Sequence, residues 1–387
     1  MTTSIDASAT PRAQVQIDLA ALRHNVERLR ASAPTAGVMT VVKADAYGHG
    51  LLPCAREALV AGAAYLGVAL PHEALALRAA GIDAPILTWL LQTDSAAEWI
   101  PVVAEGVDVS VSSLAGLQHA CEAATITGTT ARVHLKVDTG LGRAGATAAS
   151  WGELVSAAAR ESATEAIDVI GIWSHLAFAD EPDNPVVRHQ IDTFTEAIAQ
   201  ARALGVTPQV RHLANSAATL RSPHAHFDLV RPGIAVYGLS PGAVVGTAAE
   251  LGIRPVMTLT ARAVQVKRLP AGHGVSYGHQ YTTTRESTVA LIPLGYADGI
   301  PRSATNVGPV LASGARRTIA GRVCMDQFVI DVGDDVMVEG DEVVLFGPGD
   351  GGEPTADDWA DATGTIGYEI VTRIGPRVPK VYVGGSA

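Results

Sequence analysis

Short apolar runs alternate with alanine-rich stretches along the first two-thirds of the chain. From Asp18 the residues Leu19, Leu22, Val26 and Leu29 recur at spacings of three and four, which predicts an opening helix with Asp18 as its cap. Apolar runs after this helix predict eight strands. They are Val38–Val42, Tyr65–Ala69, Pro85–Leu90, Val107–Val111, Arg132–Val137, Val169–Ser174, Gln209–Leu213 and Leu229–Tyr237.

The helical stretches between these runs are long enough to cross back over a sheet, so the strands are predicted to be parallel. Eight such units in roughly 250 residues match the size of a closed (β/α)8 barrel of the TIM type, which is the favoured interpretation. A doubly wound open sheet would show the same alternation, and periodicity alone does not separate the two folds.

The pattern changes after Gly252, where shorter apolar runs are separated by Gly, Asp and Pro. This texture predicts a second, mostly β domain, with the segment Pro241–Gly252 as the junction. We therefore expect a barrel domain over residues 14–248 and a β domain over residues 249–387. The runs in the second domain are Met257–Val266, Thr288–Pro293, Arg317–Val323, Phe328–Val332 and Glu342–Phe346.

The composition argues against several classes of partner. At a net charge of −11, the chain does not favour binding to nucleic acid or to an anionic membrane, which draws on clustered lysine and arginine. Its longest uncharged apolar stretch, Leu59–Leu70, is shorter than the roughly 20 residues that span a bilayer. The cysteines, Cys54, Cys121 and Cys324, lie far apart without metal-ligand spacing, and the polar N-terminus does not resemble a signal peptide. We expect a cytoplasmic protein that binds small molecules and no metal.

In such a barrel the chemistry lies at the carboxyl ends of the strands, so polar residues directly after each apolar run are the candidates. Lys43 ends the first run in VVKADAYGHG. Burial lowers the pKa of a lysine, and the neutral amine is the form that attacks a carbonyl to make an imine. Lys43 is therefore a candidate nucleophile, although a surface lysine at a strand end is the simpler alternative.

Later strands end in further polar residues. Lys136 and Arg143 flank a glycine-rich turn in VHLKVDTGLGRAG, and His175 follows the sixth strand. His212 and Ser216 follow the seventh strand in HLANSAA.

The eighth strand embeds Arg231 in an apolar run, followed by Pro232 and Gly233. A buried arginine needs an acceptor, and a salt bridge would be the simplest one. Loops after the last two strands of such a barrel often hold a phosphate, and here they offer the hydroxyl of Ser216 and the backbone of Gly233. A lysine that forms an imine, a phosphate site and an arginine facing a ring nitrogen together indicate a pyridoxal-phosphate pocket.

Eight motifs closely resemble those of the alanine racemases, a fold-III family of pyridoxal-phosphate enzymes, and occur in the same order as in that family. The resemblance extends from about Val15 to Val383. They are VVKADAYGHG, LKVDTGLGR, HLANS, RPGIAVYG, VSYGHQY, GYADGIPR, GRVCMDQ and GTIGYE. The chain differs from the residues most frequent in these motifs at Asp45 and Gly367, neither of which has a proposed catalytic role. The resemblance implies pyridoxal 5′-phosphate as cofactor, alanine as substrate and D-alanine for peptidoglycan as product.

The resemblance also implies roles for individual residues. Lys43 would carry the cofactor and act as one catalytic base, and Tyr277 would be the other, contributed by the partner subunit of a homodimer. His175 would support Tyr277, and Arg231 would face the pyridine nitrogen. The remaining implied assignments are Tyr47, Ser216, Gly233, Ile234 and Tyr368 for the phosphate, His212 beside the pyridine ring, Arg143 and the Met325 backbone for the substrate carboxylate, Tyr296 and Arg302 with Tyr277 and Tyr368 for the access corridor, and Lys136 as a carbamylated lysine that accepts from Arg143.

Other functions stay open at this stage. A racemase of broader specificity, or a fold-III decarboxylase, would share most of these residues and differ in side-chain tolerance or in release of carbon dioxide. A pyridoxal-phosphate-binding protein without turnover is a different class, which the second domain and the Tyr277 motif argue against.

Overall fold

The computed structural model describes residues 11–386 and divides into two compact units. We call residues 21–254 the barrel unit, and residues 11–20 with 255–385 the C-terminal unit. Up to residue 254 the elements are β1 (Ala13–Asp18), α1 (Leu19–Ser32), β2 (Gly37–Val41), α2 (Lys43–Tyr47), α3 (Leu51–Val60), β3 (Tyr65–Val68), α4 (Pro71–Ala79), β4 (Ile86–Thr88), α5 (Trp99–Ala104), β5 (Asp108–Val111), α6 (Leu114–Thr127), β6 (Ala131–Lys136), α7 (Ala148–Ala163), β7 (Ile167–Trp173), α8 (Pro185–Ala203), β8 (Val210–His212), α9 (Ser216–Arg221), β9 (Leu229–Val230) and α10 (Ala248–Leu251), with 3-10 helices at Pro223–Ala225 and Ile234–Tyr237.

The predicted barrel is confirmed as a nearly closed sheet of eight parallel strands, in the order β8-β7-β6-β5-β4-β3-β2-β9. Across the remaining gap, the Arg231 N–H donates to the Ala214 carbonyl at 2.8 Å and the Asp228 N–H donates to the Arg211 carbonyl at 3.0 Å. An apolar cluster from four neighbouring strands contains Met39, Tyr65, Leu87 and Leu229. The carboxyl ends of all eight strands therefore meet at one rim.

The predicted strand Leu229–Tyr237 is wrong in extent, because the strand covers only Leu229–Val230. Pro232 has no N–H to continue the ladder, although its carbonyl accepts from the Val41 N–H at 3.0 Å. The chain then turns into the 3-10 helix Ile234–Tyr237. As a result, the backbone after Gly233 presents its amide groups at the rim instead of pairing in the sheet.

After residue 254 the elements are β10 (Met257–Arg262), β11 (Gln265–Leu269), β12 (Gly274–Val275), β13 (Tyr281–Thr282), β14 (Ser287–Ile292), β15 (Pro309–Ala312), β16 (Ala315–Thr318), β17 (Phe328–Gly333), β18 (Glu342–Phe346), α11 (Ala356–Thr363), α12 (Gly367–Thr372) and β19 (Lys380–Val383), with 3-10 helices at Tyr277–His279 and Arg302–Ala304. A six-stranded sheet has the order β16-β15-β18-β10-β1-β19, and β11-β14-β17 form a second sheet. The prediction of a mostly β domain is confirmed.

Two of the predicted C-terminal strands are wrong in extent. The run Met257–Val266 is divided between β10 and β11. In place of Arg317–Val323 the strand is Ala315–Thr318, and beyond it only an isolated bridge joins Ile319 to Ile330. No helix in the described part of the chain is long and apolar enough to cross a bilayer.

Candidate active site

Lys43 lies at the rim, directly after β2, and begins an unusual backbone turn. The four residues Ala44, Asp45, Ala46 and Tyr47 all have φ between 54° and 55°, which is the left-handed region. Contacts from outside the turn hold this conformation: the Glu73 carboxylate accepts from the Ala44 N–H at 2.5 Å. Within the segment, the Asp45 carboxylate accepts from the Leu51 N–H at 2.8 Å. The turn therefore fixes the direction of the backbone after Lys43 and the position of Tyr47.

The amine of Lys43 lies between two aromatic rings. Its Nζ is 6.0 Å from the centre of the Tyr47 ring and 5.9 Å from that of Trp89. Burial lowers the pKa of Lys43, and the charge of Arg143 lowers it further, against an opposing effect of Glu73. The surroundings therefore favour the neutral, nucleophilic amine.

Tyr47, Ser216, Gly233 and Ile234 come together at the rim, where they follow the ends of β2, β8 and β9. The Ser216 Oγ accepts from the N–H of Gly233 at 2.8 Å and from that of Ala235 at 3.3 Å. A Cβ at Gly233 would lie 2.3 Å from the Tyr47 hydroxyl oxygen, so only glycine fits beside that hydroxyl. Two hydroxyls and several backbone N–H groups thus converge, which is the chemistry of a phosphate site.

Arg231 is buried, and its acceptors are neutral. It donates to the carbonyls of Ser174 at 2.8 Å and Leu213 at 3.1 Å. It also contacts the Nδ1 atoms of His212 and His175, each at 3.2 Å. No carboxylate pairs with Arg231 among the residues that the structure describes, so a salt bridge, the simplest acceptor expected from the sequence, does not hold it. Burial lowers the pKa of Arg231 to about 9, which leaves the guanidinium charged at neutral pH.

The two histidines beside Arg231 are neutral. Burial, followed by the charge of Arg231, holds the pKa of both His175 and His212 well below the ordinary value of 6.5. Because the guanidinium only donates, each Nδ1 that it contacts must accept, and the proton of each ring is on Nε2. The His212 ring stacks on Trp173, with ring centres 5.5 Å apart and planes 7° apart.

Lys136 and Arg143 come from the end of β6 and the loop that follows it. Lys136 is 7% exposed, and burial together with Arg231 and Arg143 lowers its pKa to about 8. The Asp138 carboxylate caps the loop by accepting from the backbone N–H groups of residues 140–142 at 3.0–3.2 Å. Arg143 is exposed at the end of this loop. Its charge lowers the pKa of Lys43, Lys136 and His175, so the rim suits an anionic ligand.

In the C-terminal unit, Tyr277 follows β12 in a strained turn. Ser276 has φ of 61°, and its hydroxyl donates to the Arg322 carbonyl at 2.8 Å. Tyr277 is 71% exposed. It lines a cavity of about 320 Å³ with Tyr296, Arg302 and Met325, so four of the predicted residues of this unit surround one space.

Two backbone hydrogen bonds join the loop that carries Tyr296 to the segment that carries Met325, just before β17. The N–H of Tyr296 donates to the Cys324 carbonyl at 3.0 Å, and that of Ala297 to the Met325 carbonyl at 2.9 Å. The Met325 side chain is 53% exposed. Tyr368 is half-buried in α12 of the same unit.

Sequence reasoning missed Trp173, Glu73, Asp108 and His134. Trp173 immediately precedes Ser174 and His175, so its position at a strand end was the available signal. Glu73, Asp108 and His134 gave none, because each acts through contacts with residues distant in the sequence. Among residues 11–386 no group of His, Cys, Asp and Glu is arranged to hold a metal ion.

Comparisons with known proteins match both parts of the chain to the same family. The profile of the alanine racemase N-terminal domain matches residues 17–241, and that of the alanine racemase C-terminal domain matches residues 256–382. The chain is 61% identical to an alanine racemase of Frankia casuarinae, covering 95% of each chain, and 57% identical to one of Streptomyces coelicolor, covering 98% of this chain and 97% of the relative. It superimposes on the crystal structure of alanine racemase from D-cycloserine-producing Streptomyces lavendulae with a TM-score of 0.96 at 55% identity, covering 98% of this chain and 99% of that one.

Proposed function

The chain belongs to the alanine racemase family, and from that premise we propose that it interconverts L- and D-alanine with pyridoxal 5′-phosphate held at the barrel rim. When bound through a lysine amine, this cofactor supplies the electron sink that makes the α-proton of an amino acid removable. The observation that carries the proposal is that three groups lie at the same rim of the barrel. They are the desolvated amine of Lys43, the hydroxyl and amide groups around Gly233, and the buried guanidinium of Arg231.

These residues fit the cofactor part by part. Lys43 would bind it covalently, because burial lowers its pKa and so favours the neutral amine that the bond requires. Tyr47, Ser216 and the N–H groups near Gly233 and Ile234 would hold the phosphate, with Tyr368 as a further contributor. Arg231 would face the ring nitrogen. Since a guanidinium only donates, it would leave that nitrogen unprotonated.

Racemisation requires one proton acceptor on each face of the α-carbon. We assign the amine of Lys43 to remove the proton from D-alanine and the oxygen of Tyr277 to remove it from L-alanine, with each group returning it in the reverse direction. His175 would support Tyr277, because its Nδ1 accepts from Arg231 and leaves the Nε2 proton to be donated. His212 would lie beside the pyridine ring.

The substrate would be held by its carboxylate. Arg143 stands at the rim with a positive charge, and the backbone of Met325 offers an amide. Lys136, once carbamylated, would accept from Arg143 and keep it in place. Tyr296 and Arg302, with Tyr277 and Tyr368, would line the corridor through which substrate enters.

The active unit would be a homodimer. Tyr277 is 71% exposed within its own chain, as expected of a side chain that completes the site of a partner subunit. The D-alanine formed would serve peptidoglycan synthesis.

Chiral chromatography tests the proposal. L-Alanine, L-serine and L-lysine are incubated separately with purified protein and pyridoxal 5′-phosphate, next to the Lys43→Ala variant and a Lys267→Ala control. We expect D-alanine to form far faster than the other D-enantiomers, and only the Lys43→Ala variant to lose both turnover and the yellow imine absorbance. Comparable rates on all three substrates would indicate a broad racemase, and inversion of none would reject racemisation.

A further inference from the structure

A line of buried polar side chains extends from Arg231 through the barrel interior, away from the rim. The His212 Nε2 contacts the Nδ1 of His134 at 2.8 Å. The Nε2 of His134 in turn contacts the Asp108 carboxylate at 2.9 Å. With the contact of 3.2 Å between Arg231 and the His212 Nδ1, four side chains from β5, β6, β8 and the segment after β9 form one chain of hydrogen bonds.

The two ends of this chain determine its direction. Arg231 can only donate and the ionised Asp108 can only accept. Hydrogen bonds from His134, Arg132 and Tyr65 hold the pKa of Asp108 below its usual value against the effect of burial, so the carboxylate stays ionised. The only consistent arrangement has Arg231 donating to His212, His212 to His134, and His134 to Asp108, with both imidazoles neutral.

The backbone makes room for this line. His134 pairs with Gly171 across β6 and β7, next to a register shift between Val133 and His134. A Cβ at residue 171 would lie 2.3 Å from the Nδ1 of His134, so the ring occupies the space that a side chain would need. His134 and His212 are both fully buried. Glycine at this site and the shifted register together let His134 reach His212.

We propose that Asp108 and His134 are positioning residues that set the tautomer of His212, so that its Nδ1 always accepts from Arg231 and holds the guanidinium in one orientation. This proposal rests on the proposed function, because the orientation of the Arg231 guanidinium affects catalysis only if Arg231 faces the cofactor ring. The reverse tautomer would place a proton of His212 against a guanidinium N–H, and the contact between the two would be lost.

Asp108→Asn is the sharpest test, because it changes one oxygen into an amide nitrogen with little change in shape. Arg132 Nε donates to the Asp108 Oδ1 at 2.6 Å and would hold the amide oxygen of the variant. The amide –NH2 would then face His134 and donate to it, which reverses both imidazoles. Asp228→Asn is the matched control, because it likewise neutralises a carboxylate that is paired with an arginine, Arg211, and Asp228 lies outside the line of side chains from Arg231 to Asp108.

The direct measurement is nitrogen NMR of histidine-labelled, cofactor-loaded protein, with His212 assigned through a His212→Asn variant. Ring nitrogens with and without a proton resonate in separate regions. We expect the Nδ1 of His212 to be unprotonated in the native protein and in Asp228→Asn, and protonated in Asp108→Asn. An unchanged His212 tautomer in a folded Asp108→Asn variant would overturn the proposal.

A second pair of variants decides the matter if Asp108→Asn does not fold. His134→Gln can accept from His212 and donate to Asp108, so it should keep the native tautomer. His134→Leu should give a mixture. Equal His212 spectra in these two variants would also overturn the proposal. Because the NMR measurement does not require turnover, its result is independent of whether the chain racemises alanine.

Turnover adds a functional measure. The variants that lose the tautomer should lose between about tenfold and a hundredfold in kcat, as is typical when a supporting hydrogen bond behind an active group is broken. The KM for alanine should change less, and His134→Gln should recover most of the rate. An equal loss in His134→Gln and His134→Leu would indicate a packing role and reject positioning.

Discussion

The Lys136 Nζ lies 4.0 Å from the centre of the Trp173 ring, the same ring that stacks on His212. This location gives an ammonium little solvent, and Arg231 and Arg143 add to the effect of burial in lowering the pKa of Lys136 to about 8. The fraction of Lys136 that is a neutral amine therefore increases as the pH rises through about 8. It is this form that adds to carbon dioxide, with formation of an N–C bond and release of one proton to give a carbamate anion.

We therefore predict that Lys136 is carbamylated at alkaline pH. Protein equilibrated with 13C-labelled bicarbonate should show a carbamate carbon signal that fades as pH falls below about 8. Lys136→Gln should abolish the signal, whereas Lys267→Gln, a change on a strand of the C-terminal unit, should keep it. A signal that survives Lys136→Gln would assign the modification to another amine.

Gly233→Ala should weaken cofactor binding by at least about tenfold, the equivalent of one lost hydrogen bond to a charged group. The added Cβ would lie 2.3 Å from the Tyr47 hydroxyl oxygen and displace it from the proposed phosphate site. Absorbance titration of the cofactor-free protein with pyridoxal 5′-phosphate measures the Kd. Gly116→Ala is the control, since its Cβ would meet its nearest neighbours, Trp99 at 3.4 Å and the Ser113 Oγ at 3.6 Å, at ordinary contact distances. Equal affinities in the two variants would contradict the assignment of Gly233.

Acidification should reduce stability before the carboxylates titrate. The pKa of both His175 and His212 lies well below 6.5 in the folded chain, so between those values the unfolded state binds more protons than the folded state. The free energy of unfolding should therefore fall as pH drops below 6.5, with a slope of up to about 1.4 kcal/mol per pH unit for each histidine.

Urea denaturation at a series of pH values measures this slope. His175→Gln removes one of these groups while keeping an acceptor for Arg231, so it should lower the slope by up to about 1.4 kcal/mol per pH unit. The exposed His189 provides the control, because its replacement by Gln should leave the slope unchanged. A slope that is the same in all three proteins would contradict the burial of a neutral His175.

Mixing two inactive variants tests the shared site. Lys43→Ala and Tyr277→Phe should each be inactive alone. In a mixed dimer one site would combine the intact Lys43 of one subunit with the intact Tyr277 of the other, and random exchange would restore roughly a quarter of the native activity. If both residues came from the same subunit, mixing would restore none. Carrying a different affinity tag on each variant and capturing the mixed dimer through both tags confirms that exchange took place.

Much of the barrel rim was predictable, because residue order alone decides which side chains follow an apolar run. Lys43, Lys136, His175 and His212 all lie at or directly after the ends of parallel strands, and such ends gather on one side of a barrel. Their proposed chemical roles remain predictions. The line through His134 was not predictable, because it depends on a register shift and on Gly171 in a neighbouring strand.

Other features depended on long-range partners. Strand β1 lies between β10 and β19, whose residues are far along the chain, so no local sequence pattern predicted this strand. Arg231 was expected to need an acceptor, yet its neutral acceptors come from strand ends that only the closed barrel brings together. Periodicity reports local geometry and burial. It does not report which distant strand will be adjacent.

The left-handed turn after Lys43 has a consequence for the stability of the fold. Each non-glycine residue in that conformation costs about 1–2 kcal/mol, and Ala44, Asp45, Ala46 and Tyr47 all adopt it in succession. Glycine would adopt the same conformation without this steric cost. The chain therefore spends folding stability at this one turn, and the stiffer backbone there limits the freedom of the reactive Lys43 amine.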